Sequence, residues 1–338
     1  MSQMRVLHRV LMLPLLAALP CAFGQTGPTL IGSTPNSYPY ATTPGQASFA
    51  PGQIATLQFT GLKTILTQTV TANQIPLPTV LAGISLTIYQ QVEAVATTLP
   101  VPILSVTQTN TCATYPPTPD CTFTYITVQI PVETMPLLLF SEWPESQLAI
   151  FENGVIDQSF PISPRAANTH VLTVCGTGSG ACVTHADGTL VTLKSPAKPG
   201  ETVVIYAYGL GQTNPAVPTG MATPTSAPQA ANYIYVDFNF SPNAGPRYPY
   251  IDPRQGPVIA PQFAGLTPGE IGLNQVNVKL PDTFPAVPAC TNLSPFYSAV
   301  QSNLTIGIVT YHNLDGSLAD DAAPSYDAAP ICVQPPAQ

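Results

Sequence analysis

The residues that could carry out chemistry stand far apart in this sequence. Nucleophilic catalysis needs a serine or cysteine with a base within reach, and Ser179, in GTGSGAC, lacks the G-x-S-x-G frame of a nucleophile elbow. His170, His185 and His312 each occur alone. The sequence therefore predicts a protein without catalytic residues. A hydrolase would require a fold that brings distant serine, histidine and carboxylate groups into one pocket.

A glycine pair in KPGETVVIYAYGLGQTNPAVPTG, residues 198–220, raises the alternative of a phosphate-binding loop. A dinucleotide motif that starts with Gly209 and Gly211 needs its third glycine at position 214, which is Asn214. Prolines follow where a helix N-terminus would have to offer free N–H groups to the anion. Gly209 is therefore expected to end a strand at a sharp turn, and no cofactor is predicted.

Metal binding is not predicted either. The segment DGSLADD (315–321) has a spacing of oxygen groups loosely like that of a calcium loop. It lacks the Asp-x-Asp-x-Asp-Gly order and the distal Glu of an EF-hand. The cysteine pairs also lack the C-x2–4-C spacing of structural zinc sites.

Six cysteines lie beyond the N-terminal segment, and their even number indicates disulfides if the compartment is oxidising. Fifteen pairings are possible. Four of the six stand at the two ends of short Pro- or Gly-rich loops, which favours pairing in sequence order. The predicted disulfides are Cys112–Cys121, Cys175–Cys182 and Cys290–Cys332.

The N-terminal segment has the layout of a secretory signal peptide. Arg5 and Arg9 are basic, residues 11–23 are apolar, and small residues precede a cleavage point before Gln25. The apolar stretch is too short to cross a bilayer core of about 30 Å. We expect residues 1–24 to be removed and the mature chain to be secreted, whether it then stays in the periplasm, on the cell surface or outside the cell.

Composition points to an acidic, all-β protein. Without Arg5 and Arg9 the chain keeps seven of its nine basic residues against 17 acidic ones, so nucleic acid is not an expected partner. Proline makes up 40 of 338 residues, which disfavours helices. The hydrophobic share of 45% is too high for a disordered chain.

The chain also contains an internal repeat. APGQIATLQFTGL (50–62) matches KPGETVVIYAYGL (198–210) at an offset of 148, with the period-2 alternation of a half-buried strand in phase. TVQIPVE (127–133) resembles NVKLPDT (277–283) at an offset of 150. Two copies of a unit with seven or more strands are typical of tandem immunoglobulin-like β-sandwiches.

Turn signals support this division of the chain. Asn-Gly and Asp-Gly pairs suit tight hairpin turns, and they occur at Asn153-Gly154, Asp187-Gly188 and Asp315-Gly316. The predicted units are an N-terminal segment (25–44), a first Ig-like domain (45–165), a disulfide-closed hairpin or junction (166–195) and a second Ig-like domain (196–335).

A family resemblance agrees with this architecture. SPAKPGETVVIYAYGLGQTNPAVPTG (195–220) and FAGLTPGEIGLNQVNVKLP (263–281) resemble the C-terminal domain of the Solibacter-type family of secreted acidobacterial proteins. In that family an IPT/TIG-like, Ig-like unit is commonly duplicated. The resemblance implies an extracytoplasmic β-sandwich array, and it brings no established catalytic residues to this chain.

The strand NYIYVDFNF (232–240) and the long loop after it form the predicted binding surface. Alternation puts Ile234, Val236, Phe238 and Phe240 in the core and leaves Tyr233, Tyr235, Asp237 and Asn239 outside. Tyrosine rings beside polar groups suit a sugar, and long loops on a rigid scaffold often bind ligands. The loop residues predicted to contribute are Arg247, Tyr248, Tyr250, Asp252 and Arg254. The alternative is that the tyrosines only close the domain edge.

Together these features predict a secreted, non-enzymatic recognition, adhesion or structural module. Carbohydrate is the candidate ligand, and extracellular polysaccharide or surface proteins are the candidate partners. The alternatives are a purely structural spacer of a cell-envelope assembly and, less favoured, an extracellular hydrolase or its accessory domain.

Overall fold

The protein is all-β, as the sequence predicts. The computed structural model describes residues 27–34, 47–92, 95–113, 115–136, 145–175, 178–245, 259–292, 300–311 and 325–335. These residues form β-strands and one short 3₁₀ helix at Pro119–Cys121. No helix among them is long and apolar enough to cross a membrane.

Two sheets make up the first half of the molecule. One has the strand order β1-β3-β9-β8-β4, and the other has the order β2-β11-β10-β6-β5 with β7 also paired to β6. Strand pairs are antiparallel except for the parallel pair β2·β11. The strands are β1 (Thr29–Thr34), β2 (Ala47–Phe49), β3 (Ile54–Thr60), β4 (Val70–Thr71), β5 (Val80–Leu81), β6 (Ile84–Val92), β7 (Val95–Val101), β8 (Ile103–Asn110), β9 (Thr122–Gln129), β10 (Glu145–Glu152) and β11 (Val155–Pro164).

The second half repeats this plan. One sheet has the order β12-β16-β21-β20-β18-β17 with β15 also paired to β16, and a three-stranded sheet has the order β19-β24-β25. Two further hairpins, β13-β14 and β22-β23, stand apart from these sheets. The strands are β12 (His170–Val171), β13 (Val174–Cys175), β14 (Gly178–Ser179), β15 (Val183–His185), β16 (Thr202–Tyr208), β17 (Thr213–Asn214), β18 (Gln229–Ala230), β19 (Tyr233–Asn239), β20 (Phe263–Leu266), β21 (Asn274–Lys279), β22 (Thr291–Asn292), β23 (Val300–Gln301), β24 (Leu304–Tyr311) and β25 (Ser325–Ile331).

Each half has its own hydrophobic core between its sheets. Alternate residues of the strands point into these cores, which is why the sequence alternates between apolar and polar residues. The first core includes Leu57, Phe59, Ile88, Ile126, Leu148 and Ile162. The second includes Val203, Ile205, Val236, Val276, Ile306 and Ile331.

The internal repeat of the sequence is also a repeat of strand register. β3 pairs with β9, and β16 pairs with β21, so that repeat-related residues face repeat-related partners. The equivalent pairs are Ala55↔Val128 with Val203↔Val278, and Leu57↔Ile126 with Ile205↔Val276. The parallel pairing of β2 with β11 also has a counterpart, a parallel bridge between Ala197 and Val333.

The halves differ in their first strand. In the first half β1 runs along β3 with one bulge between Leu30 and Gly32. In the second half the equivalent strand is split into β12 and β15, which both pair with β16. Residues 172–182 fill the interruption and contain the β13-β14 hairpin. The insertion therefore stands where the first half has only a bulge.

Three disulfides join the cysteine pairs expected from the sequence. They are Cys112–Cys121, Cys175–Cys182 and Cys290–Cys332. The second closes the insertion 172–182, and the third connects β25 to the segment before β22. Two of the three hairpin turns are also present, at Asn153-Gly154 between β10 and β11, and at Asp187-Gly188 after β15. Asp315-Gly316 lies outside the described residues.

Hydrogen bonds connect the two halves at one corner. The Gly220 N–H donates to Gln129 Oε1 at 2.7 Å, and the Leu77 N–H donates to the Gly220 carbonyl at 2.9 Å. Asn168 Nδ2 donates to the Ser48 carbonyl at 2.9 Å. Since backbone groups of both halves take part, the corner fixes one half against the other.

Candidate functional site

The glycine pair of residues 198–220 serves packing. Gly209 has φ +80°, and a Cβ atom there would lie 1.9 Å from the Asn168 carbonyl oxygen. A Cβ on Gly211 would lie 2.1 Å from the Ala166 carbonyl oxygen. The Asn168 N–H donates to the Gly209 carbonyl at 2.8 Å. Only glycine admits this close approach of two backbone segments.

The predicted tyrosine surface is only partly formed. Ile234 and Val236 are buried in the core as expected, and Tyr233 and Tyr235 are half-buried on the opposite face. Asp237, expected to be exposed beside them, is only 5% exposed. This expectation was wrong because Asp237 pairs with Gly307, which has no side chain, so the carboxyl group settles against the neighbouring strand.

The register adds one residue to this face that the sequence did not indicate. Tyr235 pairs with Val309, which in turn pairs with Tyr326, so two tyrosines flank one valine across the sheet. Tyr326 is 43% exposed. The loop residues Arg247, Tyr248, Tyr250, Asp252 and Arg254 lie outside the described residues. The described face therefore carries three tyrosines, Tyr233, Tyr235 and Tyr326.

A deeper site lies beside the insertion of the second half. A cleft of about 740 Å³ is bordered by the disulfide cysteines Cys175 and Cys332. Its apolar lining includes Leu190 and Val300, each 36% exposed. Its polar lining is mostly uncharged, namely Thr192, Asn243, Asn292 and Ser302, with Lys194 as the charged residue. The volume is in the usual range of small-molecule sites, about 300–1,000 Å³.

Ser302 lies at the border of this cleft with its hydroxyl buried. It is 5% exposed, and its Oγ has no hydrogen-bond partner among the described residues. Its backbone is fixed, since the Ser302 N–H donates to Asn243 Oδ1 at 3.0 Å and the Ser302 carbonyl accepts from the Asn243 N–H at 3.1 Å. Because Oγ is buried, it is not available to a ligand in the cleft, whereas the lining residue Asn292 is exposed and offers its amide.

A third site brings together a serine, a histidine and a carboxylate that are separate in the sequence. His185 Nδ1 is hydrogen-bonded to Glu201 Oε1. His185 Nε2 lies 3.1 Å from Ser195 Oγ and 3.1 Å from the Ser195 carbonyl oxygen. The side chains of His185 and Glu201 are 13% and 20% exposed. The fold therefore brings a serine, a histidine and a carboxylate into contact at this point.

Three short elements position these groups. His185 ends β15 and pairs with Val203 of β16. Ser195 closes a turn whose N–H and carbonyl groups exchange hydrogen bonds with Thr192. Glu201 directly precedes β16, and its Oε2 accepts the Lys198 N–H at 2.8 Å. The imidazole thus connects two turns that follow each other in the chain.

This cluster borders an open depression of about 940 Å³. The charged residues in its lining include the cations Lys194 and Lys198 and the carboxylate of Asp187. The pKa of Asp187 is lowered because the hydroxyl and N–H groups of Thr189 donate to its carboxylate. Asp187 therefore stays ionised and already has partners of its own.

The other histidine of the described second half has a different environment. Burial lowers the pKa of His170 to about 4, since the charged ring would lose its hydration. Its ring is neutral over most of the pH range, and His170 lies on β12. Within the described ranges, no group of three or more His, Cys, Asp or Glu side chains is arranged to hold a metal ion.

Sequence reasoning missed the cluster because none of its members has a motif. His185, Ser195 and Glu201 lie within 17 positions on strand and turn residues, without the frame of a known catalytic family. One signal was present. The hairpin signal Asp187-Gly188 brings the chain back past His185 towards residues 190–195, so this histidine was the one to test against nearby hydroxyls.

Comparisons with other proteins add no family. No protein-family model matches the chain, and no curated protein matches it. The resemblance to the Solibacter-type secreted proteins stays a prediction.

Proposed function

We propose that this chain is a secreted recognition or adhesion module of two tandem Ig-like domains that binds its ligand through the second. The strand order supports the Ig-like part. An Ig sandwich places its strands A, B, E and D in one sheet and C, F and G in the other. The orders β1-β3-β9-β8 and β6-β10-β11 in the first half fit this plan. So do β15-β16-β21-β20 and β19-β24-β25 in the second half.

The disulfides support the extracytoplasmic part of the proposal. Disulfides form and persist in oxidising compartments such as the periplasm and the cell exterior. One of them closes the insertion and another joins the end of β25 to the segment before β22, so both border the cleft and brace it. A braced cleft keeps its shape before the ligand arrives, which reduces the entropy cost of binding.

The observation that carries the proposal is the cleft beside the Cys175–Cys182 and Cys290–Cys332 disulfides. Its lining combines branched aliphatic side chains with amides and hydroxyls, and Lys194 contributes the charge. An uncharged ligand with apolar and hydroxyl-bearing faces fits such a lining, and a neutral oligosaccharide segment has both. The tyrosine face offers aromatic rings on which a sugar ring could stack.

Binding of neutral oligosaccharides on a glycan array tests this proposal. We expect Val300→Asp to abolish binding, because it places a charge on the apolar wall. Asn292→Ala is expected to weaken binding about tenfold, the value of one hydrogen bond, because its exposed amide lines the cleft. Tyr326→Ala is the matched control on the tyrosine face and should bind as the unaltered chain does.

Two results would redirect the proposal. Loss of binding in Tyr326→Ala with normal binding in Val300→Asp would place the ligand on the tyrosine face, as the sequence predicted. An array without any binding, combined with surface pull-downs that recover protein partners, would favour the structural spacer of a cell-envelope assembly.

A further inference from the structure

The Ser195 cluster has the order of contacts that activates a serine hydroxyl. An ionised carboxylate only accepts hydrogen bonds, so the contact with Glu201 Oε1 places a proton on His185 Nδ1. In the neutral ring, Nε2 then carries a lone pair and faces Ser195 Oγ at 3.1 Å. This is the relation of nucleophile, base and orienting acid found in hydrolases of unrelated folds.

We propose that Ser195 is a nucleophile, with His185 as its general base and Glu201 as a positioning residue, and that the site cleaves short-chain carboxylic esters. This activity goes beyond ligand recognition and uses the neighbouring depression, which shares Lys194 with the cleft. The open depression beside Ser195 admits a small acyl group without a lid. Short acyl esters are the substrate class that such a shallow site can hold.

The reaction balances with the groups present. Ser195 Oγ attacks the ester carbonyl carbon while its proton passes to His185 Nε2. The C–O bond to the alcohol then breaks, and the alcohol leaves with that proton. Water attacks the resulting acyl-serine, gives one proton to Nε2, and the proton returns to Ser195 Oγ as the carboxylic acid is released.

The geometry also limits the rate. The Ser195 N–H is hydrogen-bonded to the carbonyl and the hydroxyl of Thr192, at 3.2 and 3.1 Å, so it does not serve an oxyanion. Lys194 and Lys198 line the depression, and their positive charges are the ones in its lining that could stabilise the oxyanion. A backbone donor to the oxyanion typically contributes about 10²–10³ in rate, so we expect slow turnover.

Labelling of the full chain with a fluorophosphonate, followed by peptide mass spectrometry, tests the proposal directly. We expect one labelled serine, Ser195, and hydrolysis of p-nitrophenyl acetate that Ser195→Ala abolishes. His185→Gln should slow labelling about 100-fold or more, the usual share of a general base. Glu201→Gln should slow it about tenfold, because the ring loses the carboxylate that orients it, whereas Glu201→Asp should retain part of the rate.

The Ser195→Ala variant keeps the result interpretable. It removes only the hydroxyl and leaves the backbone carbonyl contact with His185 in place, so the turn should fold as before. Ser241→Ala changes an exposed serine elsewhere and is the control with unchanged rate. Absence of a label on Ser195, or labelling at equal rate in His185→Gln, would show that the imidazole only braces the two turns.

Discussion

The two copies of the repeat place different chemistry on the same backbone position. Gln53 and Glu201 are equivalent at the offset of 148, and each accepts a backbone N–H three residues earlier at 2.8 Å, from Ala50 and from Lys198. Gln53 is 2% exposed and also accepts from Asn168 at the junction of the halves. Glu201 is near the surface and holds His185.

This difference shows how a duplicated fold acquires a site. In the first copy the position is buried against the other half, where an unpaired charge would lose its hydration. A neutral amide makes the same turn contact without that cost. In the second copy the position faces solvent and a histidine, so a carboxylate is tolerated. The scaffold is shared, and the surroundings decide which chemistry it carries.

The corner glycines should give the largest contrast between the copies. Gly61 and Gly209 both have φ +80°. A Cβ on Gly61 would lie 3.3 Å from the Gly27 carbonyl oxygen, whereas on Gly209 it would lie 1.9 Å from that of Asn168. Gly61→Ala should cost about 1–2 kcal/mol for the left-handed backbone. Gly209→Ala adds a backbone clash and should cost about 4 kcal/mol in all.

Urea unfolding followed by far-UV circular dichroism measures both costs. Equal destabilisation by the two variants would mean that the backbone at Asn168 can move away from the added methyl group at no cost in the free energy of unfolding. Gly154→Ala is a second comparison. Gly154 has φ +79° and open space where the methyl group would be added, so this variant isolates the cost of the backbone conformation.

An exchange of the turn residues should give the next largest effect. Gln53→Glu buries a carboxylate at the junction and should lower the free energy of unfolding at pH 7 by about 3 kcal/mol. Glu201→Gln keeps an acceptor for the Lys198 N–H and should change the free energy of unfolding by less than about 1 kcal/mol. The free energy of unfolding of each variant, measured at pH 7, checks this pair. Similar values for both would contradict the view that burial, and not the turn itself, selects the amide.

These comparisons also show what the sequence could and could not predict. Alternation in residues 50–62 and 198–210 was enough to indicate two strands, and Asn153-Gly154 was enough to indicate a hairpin, because period and turn chemistry are local. The burial of Asp237 depends on a glycine 70 positions later. The contact of His185 with Ser195 depends on two successive turns. The first contact is set by the register between distant strands, which no local pattern records, and the second needs the exact course of two turns, of which Asp187-Gly188 indicates only the first.

The smallest contrast concerns acid stability and again separates equivalent positions. His170 pairs with Tyr208 where Thr29 pairs with Thr60, so only the second copy has a titrating group there. Burial lowers the pKa of His170 to about 4, from an ordinary value of about 6.5. The unfolded chain therefore binds the proton more readily. The contribution of neutral His170 to the free energy of unfolding is fully present above about pH 6.5. It is lost progressively as the pH falls towards about 4, by about 2 kcal/mol between pH 7 and pH 5.

His170→Thr, the residue of the first copy, should remove this loss. Asp327 works in the opposite direction, because burial raises its pKa and its protonation then favours the folded state as the pH falls. The difference between variant and unaltered chain cancels Asp327 and the other carboxylates, so it isolates His170. Urea unfolding at pH 7, 6 and 5 should show this difference shifting by about 2 kcal/mol in favour of the variant. A difference that stays constant with pH would mean that the histidine is hydrated in the folded protein, and that the two copies respond to acid alike.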